Sequence, residues 1–330
     1  AEKNIENLFM NGYTSIRDLG GPIFGLKQAI DKGISKGPRI WPSGAFISQT
    51  GGHGDFRLPN DIPSDPTRGL SYAERINAAA IADSPDAVRL KTREQLMQGA
   101  SQIKLMAGGG VSSVYDPLDV TQYTYEEIKA AVEAAENWGT YVAVHAYTPR
   151  AIQQAINAGV KCIDHGQLLD DETVKMMADQ NIFWSLQPFT DEGNKAGLSP
   201  ESRAKQLEMY GGTDNAFALA KKYKMKIAYG TDVLFNKEKA AQPNKQLIKM
   251  KRWFNNYEIL KMATSNNADL LAMSGKRSPY AGKLGVIEEG ALADILILNA
   301  NPLEDLDVFI DAQNTIDFIM KDGKIYKNKL

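Results

Sequence analysis

Cysteine is almost absent from this sequence, and its scarcity excludes two kinds of site. Cys162 is the single cysteine among 330 residues, so the chain can form neither an intrachain disulfide nor a CxxC-type metal site. Because it lies within an apolar run, a packed core thiol is favoured over a reactive one. Long apolar runs are missing too. No segment approaches the roughly 20 apolar residues of a membrane-spanning helix, and the opening residues do not have the pattern of a secretory signal.

An excess of charge of either sign is also missing. The net charge is -2 and the pI is about 6.0, so the sequence predicts neither nucleic acid nor a membrane as a partner. Hydrophobic residues make up 43% of the chain, which is enough for a large core. The composition leaves open whether the protein is cytoplasmic or exported, and whether it forms a homo-oligomer.

Short apolar runs alternate with helical segments along the chain. Seven runs are predicted as strands: 13–20, 39–48, 102–110, 140–146, 161–166, 182–188 and 226–232. Helices are predicted at 1–12, 25–34, 71–100, 124–139, 148–159 and 170–181. In the fourth of these helices, apolar side chains recur at helical spacing on one face: Ile128, Ala131, Val132 and Ala135.

This alternation predicts parallel βαβ units and therefore an α/β fold. A (β/α)₈ TIM barrel needs one strand more than the seven found, and the chain opens on a helix that ought to follow such a strand. We therefore expect a barrel whose first strand is missing from this sequence. A doubly wound open sheet is the alternative. It is disfavoured because no GxGxxG follows a strand, and the three glycines at 108–110 precede a loop.

The character of the chain changes after about residue 275. Residues 276–330 are rich in β-type runs and contain a KDG hairpin turn. This tail is too small to form a core alone. We predict a barrel domain over 1–275, and a small β-sandwich subdomain that 276–330 builds together with strands from another segment.

Four polar residues are predicted at or near the ends of barrel strands: Lys104, His145, His165 and Asp232. TIM-barrel enzymes place their catalytic residues at this rim. The two histidines are one strand–helix–strand step apart, so they should meet there, and imidazole and carboxylate suit zinc and similar cations. Taken singly, each has a simpler explanation: a hydrogen-bonded structural histidine, an ion-paired lysine, or an aspartate N-cap. Four such residues together favour a site.

The chain resembles the amidohydrolase superfamily of metal-dependent hydrolases, in its imidazolonepropionase-like and Xaa-Pro dipeptidase (prolidase-like) branch. The resemblance rests on GYTSIRDLGG, GPRIWPSGAFISQTGGHGD, IKLMAGGGVSS, VAVHAY, IDHG, YGTDV and GVIEEGALADILIL. It implies that a carboxylated Lys104 bridges two divalent metals, usually zinc, and that His145 and His165 bind the second metal. Asp232 is implied to bind the first metal and to transfer the proton.

One element of the family pattern is absent from the sequence. The HxH pair of strand 1, which the resemblance implies for the first metal, has no counterpart. We expect that the segment carrying it is missing from this sequence, and that this polypeptide alone lacks full activity. The alternative is a paralogue without the first metal site.

Further candidates surround the predicted rim. In similar prolidase-like enzymes a histidine in the loop after strand 3 binds a substrate carboxylate together with a tyrosine. These positions match His53 and Tyr147. Tyr115, Asp116 and Arg150 are candidates as well, with ion pairing or loop packing as the alternative.

The resemblance implies hydrolysis of an amide bond by a metal-activated water. The predicted substrates are small molecules, such as Xaa-Pro dipeptides or N-acyl amino acids, although the branch also acts on cyclic amides, aryl amides and ureas. The rival hypothesis is a metal-free or single-metal relative that acts as a binding or assembly protein. Retention of Lys104, both histidines and Asp232 argues against that rival.

Overall fold

A computed structural model describes residues 2–61, 69–192, 198–233 and 237–330. Its α-helices are α1 (Glu2–Met10), α2 (Phe24–Asp31), α3 (Tyr72–Arg75), α4 (Pro85–Gln98), α5 (Tyr125–Asn137), α6 (Pro149–Ala158), α7 (Asp171–Asp179), α8 (Pro200–Lys222), α9 (Lys237–Ala241), α10 (Asn244–Lys249), α11 (Asn256–Lys261), α12 (Asn267–Ala272) and α13 (Ala312–Thr315). Its strands are β1 (Ser15–Asp18), β2 (Arg39–Pro42), β3 (Phe46–Ser48), β4 (Ala79–Ile81), β5 (Ile103–Met106), β6 (Val142–Ala146), β7 (Cys162–His165), β8 (Phe183–Ser185), β9 (Ile227–Ala228), β10 (Ile295–Leu298), β11 (Ile316–Lys321) and β12 (Lys324–Asn328).

The parallel strands form the barrel predicted from the sequence. Seven of them pair in the order β4-β3-β5-β6-β7-β8-β9, and β1 pairs with β2 in a separate parallel ladder. β4 lies outside β3 at one edge, and neighbours from β5 to β9 then follow chain order. The hydroxyls of Tyr13, before β1, and Tyr229, after β9, lie 3.1 Å apart, so the two ends of the parallel array approach each other.

Helices cover the outer face of this barrel. The predicted apolar face of α5 is confirmed, since its four residues are all buried. Thr124 and Glu127 form a capping box at the start of α5, which satisfies backbone N–H groups that would otherwise lack partners. In the part of the chain that the structure describes, no helix is long and apolar enough to cross a membrane.

Two predicted elements were wrong in detail. Residues 71–100 are not one helix, because Asn77 takes a left-handed φ of 58° and ends α3. The strand β4 follows, and Ser84 with Pro85 starts α4 afresh. Similarly, residues 39–48 form two strands, because Gly44 adopts a φ of 71° between β2 and β3.

The C-terminal residues form a three-stranded antiparallel sheet in the order β10-β11-β12. The predicted KDG hairpin joins β11 to β12. This sheet docks on the start of the barrel: the rings of Phe9 and Tyr326 meet edge to face at 4.8 Å, and Lys321 Nζ donates to Gly37 O at 2.6 Å. Arg39 and Asp294 form an ion pair across the same contact. The boundary near residue 275 stays a prediction.

Candidate active site

Two histidines meet at the rim formed by the carboxyl ends of neighbouring strands. His145 lies near the end of β6 and His165 is the last residue of β7, and the register places Ala146 opposite His165. Their ring centroids are 4.7 Å apart, and both side chains are buried. The spacing of one βαβ step therefore produces the predicted proximity.

Hydrogen bonds fix the tautomer of each ring. His145 Nε2 lies 3.1 Å from Gly109 O, and a carbonyl only accepts, so Nε2 carries the hydrogen. His165 Nδ1 lies 2.7 Å from Gln187 Oε1. The amide nitrogen of Gln187 donates to Ser185 O at 2.9 Å, so Oε1 is the acceptor and His165 Nδ1 carries the hydrogen. Lone pairs therefore remain on Nδ1 of His145 and on Nε2 of His165.

Both rings are neutral at physiological pH. Burial lowers the pKa of His145 well below its usual value, and the neighbouring rings of His53 and His165 add to this decrease. Burial, with the Lys104 ammonium, lowers the pKa of His165 to about 3. A neutral imidazole with a free lone pair is the form that ligates a metal.

Lys104 is the second residue of β5, so it lies deeper in the barrel than the predicted strand end. Its ammonium is ion-paired with Asp164, which also accepts a hydrogen bond from Arg17 Nη2 at 2.6 Å. All three side chains are 9% exposed or less. Burial alone would raise the pKa of Asp164, but Lys104 and Arg17 lower it to about 2. The structure thus shows Lys104 as an ion-paired lysine, which is the simpler of the two interpretations that the sequence allows.

Asp232 follows β9 and has a left-handed φ of 45°. The Asp232 side chain is exposed, although nearby protein still desolvates its carboxyl group. That desolvation raises the pKa of Asp232 to about 7, with Lys104 opposing the increase and Asp164 adding to it. Asp232 is therefore close enough to Lys104 for the charge of the lysine to affect the pKa of the aspartate.

His53 reaches the same mouth from the loop after β3. Its ring stacks on His145 with centroids 4.0 Å apart and planes 13° apart. Its Nδ1 lies 3.1 Å from Asp116 Oδ2 and 2.5 Å from Ser113 Oγ. Tyr147 completes the group, with its ring 5.0 Å from that of His145.

Other candidates do not join this cluster. Tyr115 donates its hydroxyl hydrogen to Arg57 O at 2.9 Å, which is a loop contact. Arg150 is exposed near the start of α6. Cys162 is fully buried, and burial raises the pKa of its thiol to about 11, so the packed core thiol is confirmed.

The glycines at 108–110 bring backbone close to protein groups. A Cβ added to Gly109 would fall far inside contact distance of Pro117 O, and one added to Gly110 would overlap the His53 ring. Gly109 also supplies the carbonyl that orients His145. The absence of a side chain here lets the loop after β5 fold against the site.

Replacing Gly109 with alanine is expected to lower the free energy of unfolding by about 1–3 kcal/mol, because the new methyl group meets a backbone carbonyl that cannot move aside freely. Urea denaturation measures the change. The matched control is Gly211→Ala in α8, where a Cβ meets nothing within 4 Å. That control should instead stabilise the protein by about 0.5–1 kcal/mol. Equal effects of the two substitutions would contradict this interpretation of Gly109.

The donor set fits a divalent cation in part. His145 and His165 fit as two neutral nitrogen ligands with defined lone pairs. Within residues 2–61, 69–192, 198–233 and 237–330, however, no group of three or more His, Cys, Asp or Glu side chains is arranged to hold a metal ion. The geometry therefore supports two ligands, and any contribution from Lys104 or Asp232 requires their side chains to move.

A sequence model of the amidohydrolase family matches residues 1–326. The chain belongs to the amidohydrolase family. Members of this superfamily generally use divalent metals. The match spans the barrel, the two-histidine rim and the C-terminal sheet together.

Relatives of this amidohydrolase-family chain include ochratoxinase of Aspergillus niger, which is 34% identical over 328 residues. That alignment covers 96% of this chain and 66% of the ochratoxinase, so the chain spans just under two thirds of the length of this relative. A prolidase solved in complex with N-methylphosphonate-L-proline is 36% identical, with a TM-score of 0.88, over 99% of this chain and 79% of that one. A Xaa-Pro dipeptidase with bound methionine is 29% identical, with a TM-score of 0.83, over 99% and 78%.

Three residues that support the site were not predicted from the sequence. Asp164 carried a signal, since it interrupts an apolar run immediately before His165. Gln187, at the end of the run 182–188, carried a weaker one. Arg17 gave none, because its link to Asp164 joins positions far apart in the chain.

Proposed function

We propose that the protein is a metal-dependent hydrolase that cleaves an amide bond in small molecules such as Xaa-Pro dipeptides or N-acyl amino acids. One observation carries the proposal: His145 and His165 meet at one rim as neutral rings with their free lone pairs fixed. Family membership and the relatives that are prolidases or an ochratoxinase support amide hydrolysis.

The proposed cation ligands are His145 Nδ1 and His165 Nε2, completed by Lys104 as a carbamate and by Asp232. When bound, divalent cations, of which zinc is the family's usual choice and two make a complete site, supply an activated water and polarise the substrate carbonyl. Gly109 and Gln187 act from behind the two rings, since they hold the tautomers that leave these nitrogens unprotonated.

Carbamate formation on Lys104 would convert its ammonium and CO₂ into R–NH–COO⁻ with release of two protons to solvent, and would remove the ammonium from Asp164. The buried network allows this exchange. Asp164 has a second cationic partner in Arg17, so it remains paired when Lys104 departs. Without Arg17, the new carbamate would face an unpaired buried carboxylate.

Asp232 is the proposed proton carrier: its carboxylate accepts a proton from the attacking water and passes it to the leaving amine. A pKa raised to about 7 suits a group that must both take and give a proton near neutral pH. His53 and Tyr147 are the proposed substrate-binding residues, because they flank the two rim histidines. The Tyr147 hydroxyl would donate to the substrate carboxylate. His53 Nε2 would accept from a substrate N–H, because the hydrogen of this ring is on Nδ1.

The test measures amine release from glycyl-proline and N-acetyl-leucine by the purified chain. Because the sequence has no HxH pair, we expect only partial activity: slow hydrolysis after incubation with Zn²⁺ and bicarbonate, its loss in EDTA, and its return when zinc is restored. Bicarbonate is included because the carbamate carbon comes from dissolved CO₂. Hydrolysis that persists in EDTA after the metal content has been shown to be nil would contradict metal dependence.

A metal-free or single-metal binding protein is the second candidate. It is favoured by one observation on the described side chains: Lys104 is paired with Asp164. The sequence also lacks an HxH pair. Calorimetric titration with Zn²⁺ separates the candidates. Tight binding accompanied by hydrolysis supports the enzyme, whereas binding of N-acetyl-leucine without turnover at any zinc concentration supports the binding protein.

A further inference from the structure

One lysine joins the helix α8 to the loop after β5. Lys205 Nζ donates to three backbone carbonyls of residues 110–116, which we term the β5 loop: Gly110 O at 2.8 Å, Ser113 O at 2.9 Å and Asp116 O at 3.0 Å. An ammonium group has three hydrogens, so these contacts use all of its donors. The β5 loop therefore curls around a single cation supplied by α8.

The β5 loop in turn supports His53. Asp116 Oδ2 accepts hydrogen bonds from the Gly110 amide at 2.6 Å and from His53 Nδ1 at 3.1 Å. Burial would raise the pKa of Asp116, but hydrogen bonds from His53, Ser113 and Gly110 lower it, so the group is a carboxylate. A carboxylate only accepts, hence His53 carries its hydrogen on Nδ1 and keeps a lone pair on Nε2. Ser113 Oγ, 2.5 Å from Nδ1, fits this assignment as a second acceptor, because its own hydrogen is donated to Asp116.

The helix itself has independent anchors. Met209, one helical turn after Lys205, packs with Leu118 and Tyr147 in an apolar cluster. Gly212 lies so close to Gln167 O that a Cβ there would overlap this carbonyl. Loss of the lysine contacts should therefore release the β5 loop and leave α8 in place.

We propose that Lys205 is a positioning residue: by holding the β5 loop, it fixes the Asp116–His53 contact and with it the tautomer of His53. Its role in catalysis rests on the function proposed above, in which His53 Nε2 accepts a hydrogen bond from a substrate N–H. Without the ammonium, three carbonyls that point at one position lose their shared donor. The loop must then rearrange to satisfy them with water.

The scarcity of histidine makes the first test direct. With ¹⁵N-labelled histidine, long-range proton–nitrogen spectra contain signals from three imidazoles, and the spectrum of His53→Asn assigns one of them. At pH 8 we expect His53 in the Nδ1–H form in the parent protein. In Lys205→Met it should become a mixture of both tautomers, while the His165 signals stay unchanged.

The matched control is Lys222→Met, the same change on the same helix at a surface ion pair with Asp171. It should leave all three imidazoles unchanged. If Lys205→Met does not fold, Lys205→Arg is measured in its place. A planar guanidinium cannot put one nitrogen at three carbonyls, so a partial shift of His53 is expected. A His53 spectrum identical to that of the parent protein, in whichever variant is folded, would overturn the proposal.

Kinetics test the catalytic part. For glycyl-proline, Lys205→Met should raise KM about 10-fold and change kcat by less than about 3-fold, because a binding contact is weakened and not a transition-state contact. For N-acetyl-proline, which has no N–H to donate to His53 Nε2, the same variant should leave KM unchanged. An altered His53 spectrum with unaltered KM for both substrates would overturn the catalytic role. If the parent protein hydrolyses none of glycyl-proline, N-acetyl-proline and N-acetyl-leucine, the proposed function fails, and the spectra still decide whether Lys205 positions His53.

Discussion

Replacing His165 with asparagine is expected to abolish zinc-dependent hydrolysis, with the rate falling by more than about 100-fold, which is the upper limit seen for loss of a residue behind a ligand. The substitution removes the proposed ligand atom Nε2. Asparagine is chosen because His165 has a φ of 79°, and asparagine tolerates this left-handed region better than most residues. Initial rates with zinc present measure the effect, and circular dichroism and thermal melting establish that the variant is folded.

Two glutamine variants serve as comparisons for the rate of His165→Asn. Gln187→Ala removes the acceptor of the hydrogen bond from His165 Nδ1 and should lower the rate by about 10–100-fold. Gln153→Ala removes a hydrogen bond to Thr173 between α6 and α7, away from the barrel mouth, and should leave the rate unchanged. Undiminished hydrolysis by folded His165→Asn would refute the assignment of the rim histidines as ligands.

Replacing Asp164 with asparagine is expected to produce the largest loss of stability, about 3–5 kcal/mol of unfolding free energy. The neutral amide leaves the ammonium of Lys104 and the guanidinium of Arg17 buried without a counter-charge. Burial makes this costly, because solvent cannot replace the lost carboxylate. Urea denaturation at pH 7 measures the difference.

The matched control is Asp179→Asn, which breaks an exposed ion pair with Lys175 on α7. Since both partners are solvated, that change should cost less than about 1 kcal/mol. If Asp164→Asn cost no more than this control, the buried network would not be the stabilising element that we infer.

The contribution of Asp164 should also depend on pH. Its pKa is lowered to about 2 in the folded protein, from an unfolded value of about 3.9. A depressed pKa means that the stabilisation is complete above the unfolded value and is lost as the pH falls through the folded value. The difference in stability between the parent protein and Asp164→Asn should therefore shrink between about pH 4 and pH 2. An unchanged difference over that window would contradict the assignment.

The rim of the barrel could be read from local patterns. Short apolar runs alternating with capped helices require parallel strands, and parallel strands place their carboxyl ends at one edge. The positions of His145 and His165 follow from that rule alone. The barrel and its C-terminal antiparallel sheet were predicted correctly for the same reason, since periodicity and the KDG turn are local signals.

The wrong predictions arose where the local sequence signal was weak, or where a residue distant in the chain determined the state of a side chain. The strand β4 was not predicted, because the residues around it have a continuous helical composition. A single left-handed residue, Asn77, ends α3 within that pattern. The state of Lys104 was decided by Asp164 on another strand. No spacing rule contains such a contact, since it joins residues 60 positions apart.

By itself, the sequence determined the architecture, the family pattern and the meeting of two histidines, because each depends on periodicities and strand ends within a few residues. The tertiary structure alone decided the chemical state of those side chains. Burial, the Gly109 and Gln187 acceptors, and the Asp164 network select which nitrogen is free and which lysine is paired. These are properties of groups brought together from distant parts of the chain, and desolvation makes them strong.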